Sequence, residues 1–469
     1  MSMNLSSLLS QLSGARCLGD LTVPVSRVHT DTRSLQAGDL FVALKGERFD
    51  ANEFLGQAAA QGAVMVVGER DVSTAGVPGV QVPDSRLALG ELATAWRAQW
   101  TGPLIAVTGS NGKTTVTQMI ATILRTAAGE QAHATQGNLN NDIGVPLTVL
   151  RLRAEHRLSV VELGMNHPGE IAYLSAIAQP TVALVNNAQR EHQEFMGTVE
   201  AVACENGSVL SALPADGVAV FPAHDEYTAL WRELSGSRRV WVFDDEHTDA
   251  NVHATGVIWQ GGEWHLNVVT PMGQVPVRLR IAGRHNVRNA LAAAACALAA
   301  GVSLVHVQAG LNAFEPVGGR SRALSVPLSR GTVTLVDDTY NANPDSVRAA
   351  IDLLALAPSP RLLVLGDMGE VGEQGPQFHH EVGAYAKSCG VDQLFTLGEL
   401  SQHSAHAFQG ARHFDSMDAL QQQMNTSTKE MATVLVKGSR FMRMERVVQA
   451  LQAAHPTAAA LPHKEASCC

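Results

Sequence analysis

The stretch Val107–Thr115, Val-Thr-Gly-Ser-Asn-Gly-Lys-Thr-Thr, constrains this chain more than any other. An apolar strand, Leu104–Val107, runs into it. A helix leaves it, with Val116, Met119, Ile120, Ile123 and Leu124 at i, i+3, i+4, i+7, i+8 spacing. Strand, glycine turn and Gly-Lys-Thr at a helix start make a phosphate cradle. Backbone N–H groups converge on the anion, and the helix dipole favours negative charge there. Gly109 and Gly112 let the backbone approach the phosphates, with Ser110, Asn111 and Thr115 in the same loop. Lys113 reaches the terminal phosphates and the Thr114 hydroxyl binds Mg2+. The spacing G-x-x-x-x-G-K-[ST] is not met in full, because Val107 stands where its first glycine belongs. An ordinary glycine turn would not require strand, Gly-Lys-Thr-Thr and amphipathic helix in register.

A chain of 469 residues, 45% hydrophobic, has room for two to four domains with real cores. Its net charge of −10 argues against general nucleic-acid affinity. The six cysteines show no Cys-x-x-Cys spacing, which fits reduced thiols in a cytoplasmic protein. Met1–Cys17 lacks a basic leader; Leu5, Leu8, Leu9 and Leu12 fit an amphipathic helix instead. No apolar run reaches about 18 residues, so no membrane insertion is expected. Cys468-Cys469 is not a lipidation box, and the Ala/Pro tail at 456–469 is expected to be disordered.

The expected fold is α/β in three domains, at 1–101, 102–317 and 318–455. In the first, Val28–Leu44 reads as strand, polar turn, strand; Thr32, Arg33 and Ser34 in the turn, with Lys45 after it, suit a phosphorylated or sugar ligand or a plain solvated turn. A helix near Ala58, a strand Ala63–Val67 and a helix Leu87–Trp100 follow, and Gly102-Pro103 breaks the chain. The middle domain carries the amide run Asn138, Asn140 and Asn141, which either caps turns or bonds a polar ligand. Strand Leu158–Leu163 has Glu162 near its end, where P-loop enzymes hold Mg2+. Strand Thr181–Asn187 leads to His192. Asn286 and Asn289 lie one turn apart on a helix opened by Gly283, facing an adenine edge or capping the helix. Phe314–Arg320 reads as a hinge at Gly318-Gly319. In the last domain Asn343-Pro344 starts a helix. Polar residues collect where strands end, the edge at which open α/β sheets bind ligands.

These blocks resemble the Mur ligase superfamily. Its members include the cell-wall amino-acid ligases and folylpolyglutamate synthetase. Thr108–Thr115 is similar to its phosphate loop. Asp337–Ser346, Leu365–Met368, Val436–Glu445 and Thr30–Ser34 with Gly38–Gly46 resemble the branch acting on a UDP-muramoyl-tripeptide. The resemblance covers all but the tail. It implies a UDP-sugar-binding domain, a central P-loop ATPase domain and a Rossmann-like C-terminal domain. It also implies a monomer that uses ATP and Mg2+ to join D-alanyl-D-alanine to the tripeptide carboxylate through an acyl phosphate. The third residue of the tripeptide stays open. By match, Lys113, His192 and Glu162 act in catalysis, Lys113 holds phosphates, Thr114, Glu162 and His192 hold metal, and Asn286 and Asn289 lie near adenine. Arg320 and Asp338 close on the nucleotide, and Thr32, Arg33 and Ser34 fall on the uridine side. Substrate contacts are expected from Asn138, Asn140, Asn141, Tyr340, Asn341, Asn343, Lys437 and Arg440. One departure stands out: where many members carry a carbamylated lysine, this chain has Asn206, in Cys204-Glu205-Asn206-Gly207-Ser208. Asn cannot form a carbamate, so a second metal would be held otherwise, with Glu205 as a candidate, or more weakly. A folylpolyglutamate synthetase-like ligase is the alternative, and a nucleotide switch that has lost ligation is a third reading.

Overall fold

The computed structural model describes residues 5–47, 49–328 and 331–454. The expected tail and Cys468-Cys469 lie outside them. Three sheets follow one another along the chain. The first has five strands in the order Arg16–Leu18, Gly79–Gln81, Met65–Gly68, Asp39–Val42, Arg27–His29, parallel except at the Arg16–Leu18 edge. The third has six, in the order Arg322–Leu328, Gly331–Asp338, Thr433–Lys437, Arg361–Gly366, Gln393–Leu397, Arg412–Phe414, and only its first pair is antiparallel.

The nine-stranded middle sheet positions the chemistry. Strand Leu104–Thr108 lies between Leu158–Glu162 and Val182–Val185, all parallel. The three loops that leave their carboxyl ends therefore meet at one edge, the usual ligand edge of such a sheet. All five residues of Leu104–Thr108 are buried, as a strand covered on both faces requires. One cover is the helix Lys113–Ala128, which buries Val116, Met119, Ile120, Ile123 and Leu124, the stripe expected from the sequence. The helix His285–Ala299 packs on it. Ala290 and Ala292–Ala297, apart from Cys296 all alanine and all buried, let the two helix backbones approach closely.

Helix Ser85–Arg97 joins the first sheet to the second. Trp96 Nε1 donates to the Leu152 carbonyl at 3.1 Å, and the buried Arg97 donates to the carbonyls of Ala178 and Gln179 at 2.8 Å. One apolar core runs from Leu9 and Val67 through Leu92 to Leu104 and Trp231. The N-terminal leucines form only the short helix Ser6–Leu9, with Leu9 and Leu12 buried in that core. The Gly318-Gly319 segment is tied rather than free. Gly319 sits at φ +77°, and its N–H donates to Asp337 Oδ2 at 2.8 Å.

Candidate active site

A cleft of about 880 Å3 opens where the middle sheet's carboxyl edge faces that of the third sheet. Its floor is the Gly109–Thr115 turn. Gly112, at φ +82°, is the N-cap of the helix Lys113–Ala128, and no side chain caps that end. The first N–H groups of a 16-residue helix are thus directed at the cleft, which suits an anion. The glycines are needed for a reason beyond phosphate approach. A Cβ at Gly112 would come within 2.6 Å of Asn289 Oδ1 and 2.8 Å of Asn186 Nδ2, and one at Gly109 within 3.0 Å of the backbone of Asn186 and Asn187. The turn is seated on a bed of amides. Asn187 Oδ1 accepts from Asn111 N–H at 2.9 Å, and Asn186 Nδ2 donates to the Asn111 carbonyl at 2.8 Å.

Lys113 Nζ donates to the carbonyls of Gly109 and Ser110 and to Glu191 Oε1, the last at 2.5 Å. Thr114 Oγ1 donates to Glu162 Oε1 at 3.0 Å, and Asn140 Nδ2 donates to the same oxygen at 2.8 Å. Glu162 is 2% exposed, and its other oxygen, Oε2, is buried without a hydrogen-bond partner among the described residues. A buried carboxylate oxygen left open beside a threonine hydroxyl is a donor set for a hard divalent cation. Mg2+ therefore fits Thr114 and Glu162.

His192 lies farther along the cleft. Its Nδ1 is 2.5 Å from Glu370 Oε2 and its Nε2 is 3.4 Å from Glu191 Oε1. Burial lowers the imidazole pKa, but bonds to Glu191 and Glu370 outweigh it and hold the pKa at about 9. A folded-state pKa above the unfolded value near 6.5 stabilises the protein fully below pH 6.5 or so, and that contribution is lost as pH rises through about 9. Melting temperatures of the metal-free protein should accordingly fall between about pH 6.5 and 9, and His192→Asn should flatten that slope; a parallel pH profile in the variant would contradict the pairing. His192, Ser321 and Glu370 all line the cleft with positive φ. They are three of the six non-glycine residues in that region of backbone space among the described residues, so the strain concentrates at this site.

Asn206 is buried, and its Nδ2 has no hydrogen-bond partner among the described residues. Its Oδ1 accepts from Thr108 Oγ1 at 2.5 Å and from Gly109 N–H at 3.1 Å, so it braces the entry of the phosphate turn. Glu205, considered for metal, instead accepts from the N–H groups of Gly169 and Ile171 at 2.9 and 2.8 Å and caps the helix Glu170–Ala178. Asn206→Ala would leave the Thr108 hydroxyl and Gly109 N–H unsatisfied, at a cost of about 1–3 kcal/mol. A lower melting temperature is the expected result, and an unchanged one would remove the brace.

The third domain supplies the opposite wall. Lys437, 3% exposed, is not a solvated turn residue: its Nζ donates to Asp338 Oδ2 at 2.6 Å and to the Asn341 carbonyl at 3.0 Å. Burial would raise the Asp338 pKa, but the Lys437 ammonium holds it below the usual carboxylate range. The Tyr340 ring centre is 4.0 Å from the Arg320 guanidinium and 5.9 Å from that of Arg440. Asn343 caps the helix Pro344–Leu356 in a reciprocal box with Ser346, and its Nδ2 donates across the cleft to Asn111 Oδ1 at 3.0 Å. Arg190 closes the same gap, donating to Asp345 at 2.6 Å and Glu381 at 2.8 Å.

The amides expected to touch ligand divide by role. Asn140 is on Glu162, whereas Asn141 Oδ1 accepts from Gly144 N–H and caps a helix; Asn138 is exposed in the cleft. Asn286 and Asn289 line the cleft, but their amides bond each other, the Ala282 carbonyl and Asn186, so they build the bed under the phosphate turn. Thr32, Arg33, Ser34 and Lys45 stand apart in the first domain. Thr32–Ser34 is a single 3-10 turn, Arg33 pairs with Asp31, and Ser34 Oγ is 2.8 Å from His29 Nε2. Sequence reasoning did not single out Glu191, Arg190 or Glu370. The local signals were the position of Glu191 beside His192 and that of Glu370 in the polar segment after the strand Arg361–Gly366.

The chain matches three family models: the Mur ligase family catalytic domain over residues 24–97, the Mur ligase middle domain over 107–297 and the Mur ligase glutamate ligase domain over 322–440. It is 42% identical to the UDP-N-acetylmuramoyl-tripeptide–D-alanyl-D-alanine ligase of Escherichia coli, across 96% of this chain and 98% of the relative. Among solved structures it is similar to MurF from Acinetobacter baumannii, with a TM-score of 0.87, 35% identity and coverage of 96% and 98% of the two chains. It is also similar to MurF from Thermotoga maritima in complex with ADP, with a TM-score of 0.81, 26% identity and coverage of 93% and 99%.

Proposed function

Because this chain belongs to the Mur ligase family, we propose that its cleft joins D-alanyl-D-alanine to the peptide carboxylate of UDP-N-acetylmuramoyl-tripeptide, giving the pentapeptide precursor of peptidoglycan, ADP and phosphate. The protein is an ATP-dependent ligase forming a peptide bond. The near-complete alignment with the Escherichia coli ligase carries the choice of substrate. A folylpolyglutamate synthetase-like activity is not favoured, because the likeness to those enzymes, at 16% identity, is one of fold.

A carboxylate does not expel oxide, so the acceptor must first be given a better leaving group. Its oxygen attacks the γ-phosphorus of ATP in line, ADP departs, and an acyl phosphate forms. The dipeptide amine then attacks the acyl carbon, loses a proton, and phosphate leaves. Charge spreads over the transferred phosphoryl oxygens in the first step. The Lys113 ammonium and the uncapped helix N-terminus meet that charge with groups already oriented. Mg2+, bound through Thr114 and Glu162, would supply further neutralisation of the phosphates. An acyl phosphate is lost to water unless the amine is at hand. The ties from Asn111 to Asn343 and from Arg190 to Asp345 and Glu381 support a closed cleft that keeps water out and the reactants together. On this reading Tyr340, Arg320, Arg440 and Lys437 shape the wall against the nucleotide and the incoming dipeptide. Thr32–Ser34 and Lys45 serve the uridine end, and the enzyme works as a cytoplasmic monomer. No helix among the described residues is long and apolar enough to cross a membrane.

Steady-state ADP release with each substrate omitted in turn tests the reading. Release only when ATP, the UDP-tripeptide and D-alanyl-D-alanine are all present is expected. Release that follows a folate and glutamate instead would overturn it.

A further inference from the structure

Outside the cleft, one side-chain cluster among the described residues is built like a metal site. Strands Val218–Pro222 and Arg239–Asp244 are parallel neighbours, paired through Pro222 and Phe243. Their carboxyl ends bring His224 beside Asp244. The turn after Asp244 curls back, because Asp244 Oδ1 accepts from the N–H groups of Glu246 and His247 at 2.7 and 2.8 Å. That curl returns His247 to the same carboxylate. His224 Nδ1 is 3.1 Å from Asp244 Oδ2, and His247 Nδ1 is 3.1 Å from Oδ1. One ligand atom from each of the three residues lies within 4.8 Å of the others. The two rings are 4.2 Å apart, centre to centre.

We propose that His224, Asp244 and His247 bind one divalent transition-metal ion of the zinc class, at a site separate from the Mg2+ site of the ATP cleft. Two imidazole nitrogens and a carboxylate oxygen suit zinc and its borderline neighbours, and suit Mg2+ poorly. Two ligand atoms on one tetrahedral zinc, each about 2.0–2.1 Å from the ion, stand roughly 3.3 Å apart. The His224–Asp244 separation is already close to that. Asp244 is 4% exposed and fixed by two backbone bonds, which makes it a preformed anchor. His247, with its side chain 54% exposed, is free to swing the short distance onto the ion. The other ring nitrogen of His224, Nε2, is 3.5 Å from Asp249 Oδ2. Nδ1 of each histidine hydrogen-bonds Asp244 at 3.1 Å, so a bound ion would take the place of those two protons. Remaining coordination positions open to solvent. The site adjoins the ATP cleft without forming part of it. Asp225, next to His224, lines the cleft, and Asp245, next to Asp244, pairs with Arg284 at 3.1 Å, at the start of the helix that carries Asn286 and Asn289.

The test titrates the full chain with Zn2+ by calorimetry in buffer containing Mg2+, and with Co2+ by visible absorption. The expected result is one equivalent of Zn2+ and a d–d band from bound Co2+. His247→Gln should bind at least about ten-fold more weakly, and His224→Gln/His247→Gln should lose the equivalent and the band. Zn2+ should also raise the melting temperature of the wild-type chain and not that of the double variant. Absence of the equivalent in the wild type, or its survival in the double variant, overturns the proposal.

Discussion

Lys113→Ala is expected to lower kcat by about 10^3-fold, the scale at which enzymes lose a preorganised charge aimed at a transition state. The ammonium is held by two carbonyls of the turn and by Glu191, so its position is fixed before any phosphate arrives. Lys113 also has a structural duty. Removing it leaves Glu191, 7% exposed, with only the more distant His192 imidazolium at 3.4 Å to balance it. Adding Glu191→Gln to Lys113→Ala separates the two duties. The double variant should regain melting temperature and none of the lost kcat. Recovery of both together would reduce Lys113 to a structural ion-pair partner.

Glu162→Gln is expected to lower activity by at least about 10^2-fold and to move the Mg2+ activation midpoint to higher concentration. The substitution keeps the shape and leaves an oxygen for Thr114 and Asn140 to donate to. It replaces the unpartnered oxygen by an NH2 group, which repels a cation. Excess Mg2+ should restore part of the rate. An unchanged Mg2+ dependence would show that the open oxygen is not a ligand.

Much of this site was legible in the sequence because its parts are contiguous. Strand, glycine turn and Gly-Lys-Thr-Thr lie in one run, and the helix stripe after it is periodic enough to read. Asn343-Pro344 announced a helix start, and the structure adds the reciprocal bond to Ser346. What was not legible depends on residues far apart in the chain. Arg190 meets Asp345 across 155 positions, and His192 meets Glu370 from another domain. No local pattern marks such pairs. The asparagines show the same limit. Asn140, Asn141, Asn206 and Asn289 are one residue type, yet they serve a carboxylate, a helix cap, a strand end and a neighbouring amide, and only tertiary neighbours decide which. Strands Val252–Gln260, Glu263–Thr270 and Gly273–Leu279 were also hard to see. Their outer ends are solvated, with Ile258 and Trp259 exposed, and this blurs the apolar alternation that marks a half-buried strand.

Peptide-bond formation is the reaction assigned to this cleft. Its most direct test is the mass of the nucleotide product after incubation with ATP, Mg2+, UDP-N-acetylmuramoyl-tripeptide and D-alanyl-D-alanine, with either meso-diaminopimelate or L-lysine as the third peptide residue. A gain of one dipeptide, with phosphate released only in the complete mixture, is the predicted result. Phosphate release with no gain in mass, or no reaction with either tripeptide, would contradict it.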